Sequence, residues 1–436
     1  MDYCVNERKS HMDNFIIEGG KPLVGEVFIT GAKNAVLGII PAAILSGEAC
    51  TIDNVPMIRD VYKMINILES MGGTVQFNEN VLEIDTKNLM SYDCSPYEEE
   101  TSKMRASYYL LGALLGRYKK AIVPLPGGCN IGDRPIDQHI KGFEALGAKV
   151  VIEHGQVKME AEELIGTDIY LDVVSVGATI NIMLAAVFAK GKTIIENVAK
   201  EPHVVDVANF LNLMGAKIKG AGTDAIIVRG VEKLGGCSYS VVPDQITTGT
   251  YMMMAAATKG NVLVRNVVSK HMEAVSAKLK EMGVEIRAEG DGLRVIGPEK
   301  LKAVRVKTLP YPGFPTDLQQ PMAVLMAIAE GNSVINESIF ESRFKYVDEL
   351  RKMGADITVN GRVANITGVS SLTGTRIVST DLRAGAAMVL AGLVAQGKTQ
   401  ISGIHYIHRG YEKLEENICA LGGEMYRIEV PNSFDE

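Results

Sequence analysis

The stretch Met71-Gly-Gly-Thr-Val75 recurs, in closely related form, five more times along this chain of 436 residues. The other copies begin at Leu146, Met214, Met282, Met353 and Leu421, so that successive copies start 68 to 75 residues apart. A period that is kept over a whole chain indicates repeated supersecondary units. Because this period is longer than that of the common solenoid repeats, each unit must contain several helices and strands. The sequence therefore predicts six related units.

The third unit indicates which elements a unit contains. Its segment Ala178-Thr-Ile-Asn-Ile-Met-Leu-Ala-Ala-Val-Phe-Ala189 is apolar on all sides, which is typical of a buried helix. Residues 192–197 have the pattern of a short strand, and the apolar spacing over 204–211 predicts a second helix. Further strands are predicted at 216–219, 225–228 and 238–242. This order of helix, strand, helix and strands favours a layered α/β fold.

The last unit is shorter than the others, and this irregularity predicts the domain layout. It stops near Val430, before the two closing strands that every other unit has. The segment Phe15-Ile-Ile-Glu-Gly-Gly-Lys-Pro-Leu-Val-Gly-Glu-Val-Phe-Ile29 resembles the missing piece in its spacing. We therefore expect the N-terminal strands to close the second of two domains. The predicted domains are 33–242, and 1–32 together with 243–436.

Composition excludes several classes of function. A net charge of −7 without a Lys/Arg run gives no basic surface for nucleic acid. The six cysteines and seven histidines show no metal-binding spacing, and the scattered cysteines indicate a reducing compartment rather than a disulfide framework. The N-terminus lacks the apolar core of a signal peptide, and charged residues or glycines interrupt every long apolar run. We expect a soluble, cytoplasmic protein without a metal or a membrane partner.

The apolar helices of the six units begin with unusual residues. Their starts are Gly31-Ala-Lys33-Asn34, Ser102-Lys-Met-Arg105, Ser175-Val-Gly177, Thr247-Thr-Gly249, Phe314-Pro-Thr-Asp317 and Thr380-Asp-Leu-Arg383. Helix starts offer unpaired N–H groups and the positive end of the helix dipole, so converging starts would attract anions. Alternatively, Ser, Thr and Asp only cap these helices, which would explain positions 247 and 380. Capping does not explain Lys33 or Arg105, because a cation is unfavourable in a first helical turn.

One loop surrounds a thiol with glycine and proline. In Pro124-Leu-Pro-Gly-Gly-Cys-Asn-Ile-Gly-Asp-Arg-Pro-Ile-Asp137, Cys129 stands five residues before Arg134. Exposure and a nearby positive charge are what a reactive cysteine needs. A small apolar cysteine in a turn is the alternative, and the residues alone leave both interpretations open.

Several motifs of the chain resemble those of bacterial UDP-N-acetylglucosamine 1-carboxyvinyltransferases, a family of enolpyruvyl transferases, from about residue 13 to 430. They are Gly31-Ala-Lys-Asn-Ala35, Lys103-Met-Arg-Ala-Ser107, Pro126-Gly-Gly-Cys-Asn-Ile-Gly-Asp-Arg-Pro-Ile-Asp137, Ser175-Val-Gly-Ala-Thr179, Phe314-Pro-Thr-Asp317, Phe340-Glu-Ser-Arg-Phe344, Thr380-Asp-Leu-Arg383 and Arg409-Gly-Tyr411. The resemblance implies a two-domain inside-out α/β barrel with three units per domain and an active site in the interdomain cleft. It also implies the first committed step of peptidoglycan synthesis, in which phosphoenolpyruvate and UDP-N-acetylglucosamine give an enolpyruvyl ether and phosphate.

The resemblance further implies roles for individual residues. Cys129 would be the general acid and the target of the epoxide antibiotic fosfomycin, Asp317 the general base, and Lys33 and Arg409 catalytic cations. The implied substrate-binding residues are Lys33, Asn34, Arg105, Arg134, Pro135, Ile136, Asp137, Gln138, Ser175, Val176, Gly177, Asp244, Asp317, Ile339, Asp381, Arg383 and Arg409. For Asp381 and Arg383, a salt bridge between the domains is the alternative. No cofactor and no obligate protein partner are implied.

Two other functions share many of these features. One is the sister enolpyruvyl transferase that acts on shikimate phosphate, which has the same six units but an active site without this cysteine loop. The other is a catalytically silent relative that binds the UDP-sugar and regulates wall synthesis. The presence of Cys129, Asp317, Lys33 and Arg409 argues against a silent protein.

Overall fold

The computed structural model describes residues 13–102, 104–125 and 135–429, without the side chain of Glu100. These residues form two compact units. The central unit comprises the described residues between 31 and 242, and the terminal unit comprises 13–30 and 243–429.

The helices of the described ranges alternate with strands along the chain. The α-helices are α1 Lys33–Ala43, α2 Arg59–Ser70, α3 Glu98–Ser102, α4 Tyr109–Tyr118, α5 Asp137–Ala145, α6 Val176–Ala186, α7 Pro202–Leu213, α8 Gln245–Ala257, α9 Glu273–Glu281, α10 Gln319–Ala327, α11 Val347–Lys352, α12 Leu382–Val394 and α13 Leu414–Ala420. Short 3₁₀ turns lie at Ser95–Tyr97, Arg105–Tyr108, Ser269–Met272, Thr316–Leu318 and Ile404–Arg409.

The strands are short and belong to small sheets. In chain order they are β1 Asp13–Glu18, β2 Val24–Phe28, β3 Cys50–Asp53, β4 Thr74–Asn78, β5 Val81–Asp85, β6 Lys120–Pro124, β7 Lys149–Glu153, β8 Gln156–Glu160, β9 Asp168–Tyr170, β10 Lys192–Glu196, β11 Lys217–Lys219, β12 Ala225–Arg229, β13 Ser238–Ser240, β14 Asn261–Arg265, β15 Glu285–Glu289, β16 Gly292–Ile296, β17 Arg305–Lys307, β18 Asn332–Asn336, β19 Asp356–Asn360, β20 Val363–Thr367, β21 Arg376–Val378, β22 Lys398–Ser402 and β23 Glu424–Glu429.

Apart from the sheet β6-β8-β7, which is an antiparallel trio alone, the sheets of the described residues repeat one pattern, in which a hairpin-like antiparallel trio is extended by a parallel strand from another part of the chain. In the central unit the orders are β13-β3-β5-β4, β6-β8-β7 and β11-β12-β10-β9. In the terminal unit they are β15-β16-β14-β2, β17-β18-β20-β19 and β21-β22-β1-β23. The predicted last strand of the third unit therefore pairs with β3 of the first unit, parallel and with Ser238 opposite Thr51.

The N-terminal strands lie in the terminal unit. In β1, Phe15 pairs with both Ile401 of β22 and Arg427 of β23, so β1 occupies the position that β20 has in the neighbouring sheet. β2 runs parallel to β14 with Val24 opposite Asn261. The first strands of the chain thus complete the sheet of the last unit and extend that of the fourth.

Three helices fill the centre of each unit, and the sheets cover them. Every residue of α6 from Ala178 to Ala186 is buried, and α8, α10 and α12 are buried almost as completely. The strands alternate instead: in β12, Ile226 and Val228 are fully buried and Arg229 is exposed. This inside-out α/β arrangement follows from the sequence, because all-round apolar helices need cover on every side. Within the described ranges, no helix is long and apolar enough to cross a membrane.

Candidate functional site

Two aspartates of the terminal unit each cap one of its buried helices. Asp244 accepts hydrogen bonds from the N–H groups of Ile246 (2.7 Å) and Thr247 (3.0 Å) at the start of α8. Asp381 accepts from the N–H groups of Arg383 and Ala384 at the start of α12. The prediction that Thr247 and Thr380 cap these helices is wrong. Thr247 lies inside α8, which begins at Gln245, and Thr380 precedes Asp381, the residue that caps α12.

Asp317 lies between two arginines directly before α10. It belongs to the turn Thr316–Leu318, and its Oδ1 is 2.8 Å from Nη2 of Arg343 while its Oδ2 is 3.0 Å from Nη2 of Arg383. Both guanidinium groups are buried, with 4% of each arginine exposed, whereas the side chain of Asp317 is 27% exposed. The carboxylate is therefore the part of this cluster that solvent reaches most readily.

The two arginines control the ionisation of Asp317. Burial alone would raise the pKa of its carboxyl group, but the charges of Arg383 and Arg343 outweigh burial and hold that pKa well below its usual range. Burial likewise opposes the charge of Arg383, while Asp317 raises the pKa of that guanidinium. Asp317 is thus ionised at neutral pH, and the three side chains together carry one net positive charge.

The same arginines keep donors that could serve a ligand. Within the described part of the chain, Nη1 of Arg383 and Nε of Arg343 are buried without a hydrogen-bond partner. Arg383 also lies over the ring of Tyr411 at 5.5 Å, and the Tyr411 hydroxyl is 3.0 Å from Oγ1 of Thr250. Buried donors are rarely left unpaired, and a guanidinium pairs well with carboxylate or phosphate oxygens. This geometry suits a small anion next to Asp317.

The remaining predicted residues of the terminal unit lie on neighbouring segments. Arg409 ends the turn Ile404–Arg409, which packs closely on α12, since a Cβ at Gly385 would be 2.5 Å from Ile407. Ile339 donates its N–H to Glu337 at 2.8 Å. For Arg383, the alternative of a salt bridge between domains is wrong, because its partner Asp317 belongs to the same unit. Asp381 accepts a hydrogen bond from Gln320 (3.2 Å), also within that unit.

In the central unit, Lys33 is the first residue of α1 and is paired with a second buried charge. Its Nζ is 2.8 Å from Oδ2 of Asp60, and the two side chains are only 8% and 2% exposed. No acidic residue lies in the first turn of α1, so Asp60 on α2 supplies the compensation that Lys33 needs at a positive helix end. The half-buried Asn34 follows it in the same turn.

A second predicted set surrounds the buried His139. Arg105 lies over the Tyr108 ring at 5.4 Å, and burial together with the charge of Arg105 lowers the pKa of His139 to about 4. The imidazole is therefore neutral at pH 7. A Cβ at Gly177 would be 2.8 Å from Nε2 of His139, so only glycine fits there beside the ring. Ser175 caps α6 by accepting from the N–H of Ala178 at 3.2 Å.

The start of α5 holds the next predicted residues. Pro135 and Ile136 lead into Asp137, and the buried Gln138 uses its amide locally. Its Nε2 donates to Asp137 (2.8 Å) and to Asp172 (3.1 Å), while its Oε1 accepts from the Asp172 N–H. The side chain of Gln138 thus fixes this turn. Val176 is the first residue of α6.

The structure brings the predicted residues together in two sets. Asp244, Asp317, Ile339, Asp381, Arg383 and Arg409 belong to the terminal unit, and Lys33, Asn34, Arg105, Pro135, Ile136, Asp137, Gln138, Ser175, Val176 and Gly177 to the central unit. Cys129 and Arg134 lie outside the described residues. Sequence reasoning missed Asp60, His139 and Arg343, although Arg343 lies within the motif Phe340-Glu-Ser-Arg-Phe344. The available signal was its position next to Phe344, in a motif that begins and ends with phenylalanine. In the described ranges no group of His, Cys, Asp and Glu is arranged to hold a metal.

Comparison with known proteins assigns the chain to one family. The sequence model of EPSP synthase (3-phosphoshikimate 1-carboxyvinyltransferase) matches residues 17–418. UDP-N-acetylglucosamine 1-carboxyvinyltransferase 2 of Clostridium acetobutylicum is 58% identical over 420 residues, 96% of this chain and 100% of that protein. UDP-N-acetylglucosamine 1-carboxyvinyltransferase of Clostridium botulinum is 58% identical over 419 residues, with the same shares covered.

Solved structures agree on the fold. The enolpyruvyl transferase NikO from Streptomyces tendae superimposes with a TM-score of 0.86 at 24% identity, over 96% of this chain and 99% of that chain. Similarity over nearly the whole length, in sequence and in fold, means that the chain belongs to the enolpyruvyl transferase family and, within it, to the UDP-N-acetylglucosamine 1-carboxyvinyltransferases.

Proposed function

We propose that this protein transfers the enolpyruvyl group of phosphoenolpyruvate to the 3′-hydroxyl of UDP-N-acetylglucosamine and releases phosphate, the first committed step of peptidoglycan synthesis. The observation that carries the proposal is the ionised Asp317 between the buried Arg343 and Arg383. The names of the relatives at 58% identity support the choice of acceptor. The described cysteines are free thiols, which fits a cytoplasmic enzyme.

Binding of phosphoenolpyruvate requires several cations, because the molecule carries a phosphate and a carboxylate. The unpaired donors of Arg343 and Arg383 suit the forked recognition of such groups. Lys33, Arg134 and Arg409 would supply the other positive charges. The caps Asp244 and Asp381 keep the two helix starts in place around this ligand.

The reaction needs one proton donor and one proton acceptor. Asp317 accepts the proton of the sugar hydroxyl while the hydroxyl oxygen forms a bond to C2 of phosphoenolpyruvate. Cys129 protonates the methylene carbon. The resulting tetrahedral intermediate then loses a proton from that carbon and breaks its C–O bond to phosphate, which restores the double bond. Lys33 stabilises the negative charge that develops on the leaving phosphate.

The nucleotide would lie against the central unit. The N–H groups at Ser175, Val176 and Gly177 start α6 and suit a diphosphate. Pro135, Ile136 and Asp137 would border the uracil, together with Asp244, and Gln138 would hold that turn rather than contact the base. Asn34 and Arg105 complete the lining, and Ile339 borders the sugar.

The experiment compares two acceptors. Phosphate release from phosphoenolpyruvate is followed with UDP-N-acetylglucosamine or with shikimate 3-phosphate, and the product is identified by mass spectrometry. We expect turnover with the UDP-sugar alone. Turnover with shikimate 3-phosphate alone would assign the chain to the sister activity, and no turnover with either would indicate a silent relative.

The same assay tests the role of Cys129. Cys129→Ala should lose most of the turnover because it removes the proton donor, whereas Cys129→Asp should retain substantial turnover because a carboxylic acid can donate a proton. The Asp variant should also escape alkylation by fosfomycin, since a carboxylate is a poorer nucleophile than a thiolate. Normal turnover by Cys129→Ala, or alkylation at Cys4, Cys50, Cys94, Cys237 or Cys419 instead, would exclude this role.

A further inference from the structure

Glu337 is a fully buried carboxylate at the end of β18 that accepts four hydrogen bonds. Its Oε1 accepts from Oγ1 of Thr308 (2.8 Å), from N of Ile339 (2.8 Å) and from N of Phe340 (3.2 Å). Its Oε2 accepts from Oγ1 of Thr316 at 2.9 Å. Among the residues that the structure describes, no Lys, Arg or His pairs with it. Oriented donors, rather than a cation, therefore compensate this buried group.

The donors belong to the two segments that meet at Asp317. Thr316 precedes Asp317 and opens the turn that carries it. Ile339 and Phe340 lead to Arg343, whose guanidinium stands over the Phe340 ring at 5.4 Å and reaches Asp317 at 2.8 Å. One carboxylate thus holds both the segment of Asp317 and the segment of its ion-pair partner.

Thr308 strengthens the connection between these segments. Its hydroxyl donates to Glu337 and accepts from the N–H of Ser338 at 2.9 Å. The loop that follows returns towards Asp317, with the N–H of Leu309 bonded to the carbonyl of Phe314 at 3.0 Å. A buried network in which every member is satisfied favours a single arrangement, because each broken bond would leave a polar group unpaired in a medium of low dielectric constant.

We infer that Glu337 is a positioning residue, which holds Asp317 and Arg343 at the separation that proton transfer from the acceptor hydroxyl requires. This inference rests on the proposed function, because Glu337 can affect the reaction only if Asp317 is its general base. Glu337 acts only through Thr316 and the 339–343 segment. A displacement of about 1 Å in a reacting group can cost about 100-fold in rate.

The test begins with Glu337→Gln, which keeps the volume of the side chain and replaces one acceptor oxygen by a donor. We expect kcat to fall about 10- to 100-fold, with KM for both substrates changed less than about threefold, because the position of a base matters mainly in the transition state. The matched control is Glu349→Gln in the same unit. Glu349 is also buried and accepts from the N–H of Val378 (3.0 Å) and from Lys352, and its variant should keep kcat within about twofold.

A second pair of variants isolates the contact through Thr316. Thr316→Val removes the hydroxyl and should lower kcat as Glu337→Gln does, while Thr316→Ser keeps the hydroxyl and should retain kcat. The double variant Glu337→Gln/Thr316→Val should be no slower than the slower single variant, because both remove the same interaction. If Glu337→Gln does not fold, the Thr316 variants alone test whether the hydrogen bond between Thr316 and Glu337 positions Asp317.

A readout without catalysis separates this inference from the proposed function. The ¹³C signal of the Asp317 carboxyl group, assigned by its loss in Asp317→Asn, reports the pKa of that group. In Glu337→Gln or Thr316→Val this pKa should rise towards its ordinary value, because Arg343 is no longer held against Asp317; in Glu349→Gln it should not change. If the wild type releases no phosphate with UDP-N-acetylglucosamine, the proposed function fails and this titration alone decides the role of Glu337. Unchanged kcat and pKa in the two variants, or equal losses in the control, would overturn the inference.

Discussion

Asp206 is a buried carboxyl group of the central unit that makes stability depend on pH. Burial raises its pKa to about 6, although the Tyr239 hydroxyl at 2.6 Å and the Val242 N–H at 3.2 Å both favour the charged form. In the unfolded chain an aspartate has a pKa near 3.9. The folded state therefore binds this proton more tightly, so the group contributes stability below about pH 4 that is lost as the pH rises through about 6.

The variant Asp206→Asn removes this titration and keeps a similar shape. We predict that the free energy of unfolding of the wild type, relative to that of the variant, falls by about 2 kcal/mol between pH 4 and pH 7. Urea unfolding of both proteins at four pH values measures the difference. Two stability profiles that run parallel over this interval would show that Asp206 has an ordinary pKa.

At the scale of single residues, the sequence identified chemical types but not their partners. Lys33 could be recognised because a cation is unfavourable in a first helical turn. Its partner Asp60 is 27 positions away, and nothing local connects the two. The sequence likewise could not identify Arg343 as the partner of Asp317, because an ion pair between separate segments exists only after folding. The roles of Asp317, Lys33 and the other site residues stay predictions.

Two buried helices of the central unit approach each other closely at a glycine. The N–H of Gly112 on α4 donates to Oδ1 of Asn181 on α6 at 2.9 Å. A Cβ at position 112 would be 2.3 Å from the carbonyl oxygen of Asn181, a contact that requires the backbone to shift. Glycine inside a helix lowers stability by about 1 kcal/mol relative to alanine. We therefore expect the close packing that Gly112 permits to contribute more than this amount to stability.

Gly112→Ala therefore tests the packing of these helices. The gain in helix propensity is about 1 kcal/mol, while overpacking of a buried contact costs about 1–3 kcal/mol and more when backbone must move. We predict a net loss of stability in urea unfolding. Gly235→Ala is the control, because its Cβ would meet its nearest atom at an ordinary 3.5 Å. Equal stability of the two variants would mean that α4 and α6 can separate at no cost.

At the scale of elements, the apolar pattern predicted the type of each element better than its partners. The third-unit helix was expected at 178–189 and runs over Val176–Ala186. The strand expected at 238–242 exists as β13, but its partner is β3 of the first unit. Periodicity along the chain reports which face is buried, whereas the choice of sheet depends on the closure of three units around their helices.

At the scale of the whole molecule, the repeat predicted the architecture. Six copies of one phrase predicted an α/β fold, and the family resemblance implied its inside-out form; the family and this fold class are confirmed. We propose that the central and terminal units are the two domains predicted from the shortened last repeat. The segment around Cys129 could be recognised from its glycines and its family motif, but it lies outside the described residues, so its role depends on experiment.

The central claim is that Asp317, between Arg343 and Arg383, is the base of an enolpyruvyl transfer. The most direct test is the initial rate of phosphate release from phosphoenolpyruvate at saturating UDP-N-acetylglucosamine, for the wild type, Asp317→Asn and the exposed control Asp291→Asn, at a temperature where all three are folded. Loss of a general base lowers rates by about 100- to 10,000-fold, so we predict a fall of at least about 100-fold in Asp317→Asn and none in Asp291→Asn. A rate for Asp317→Asn close to that of the wild type would contradict the account.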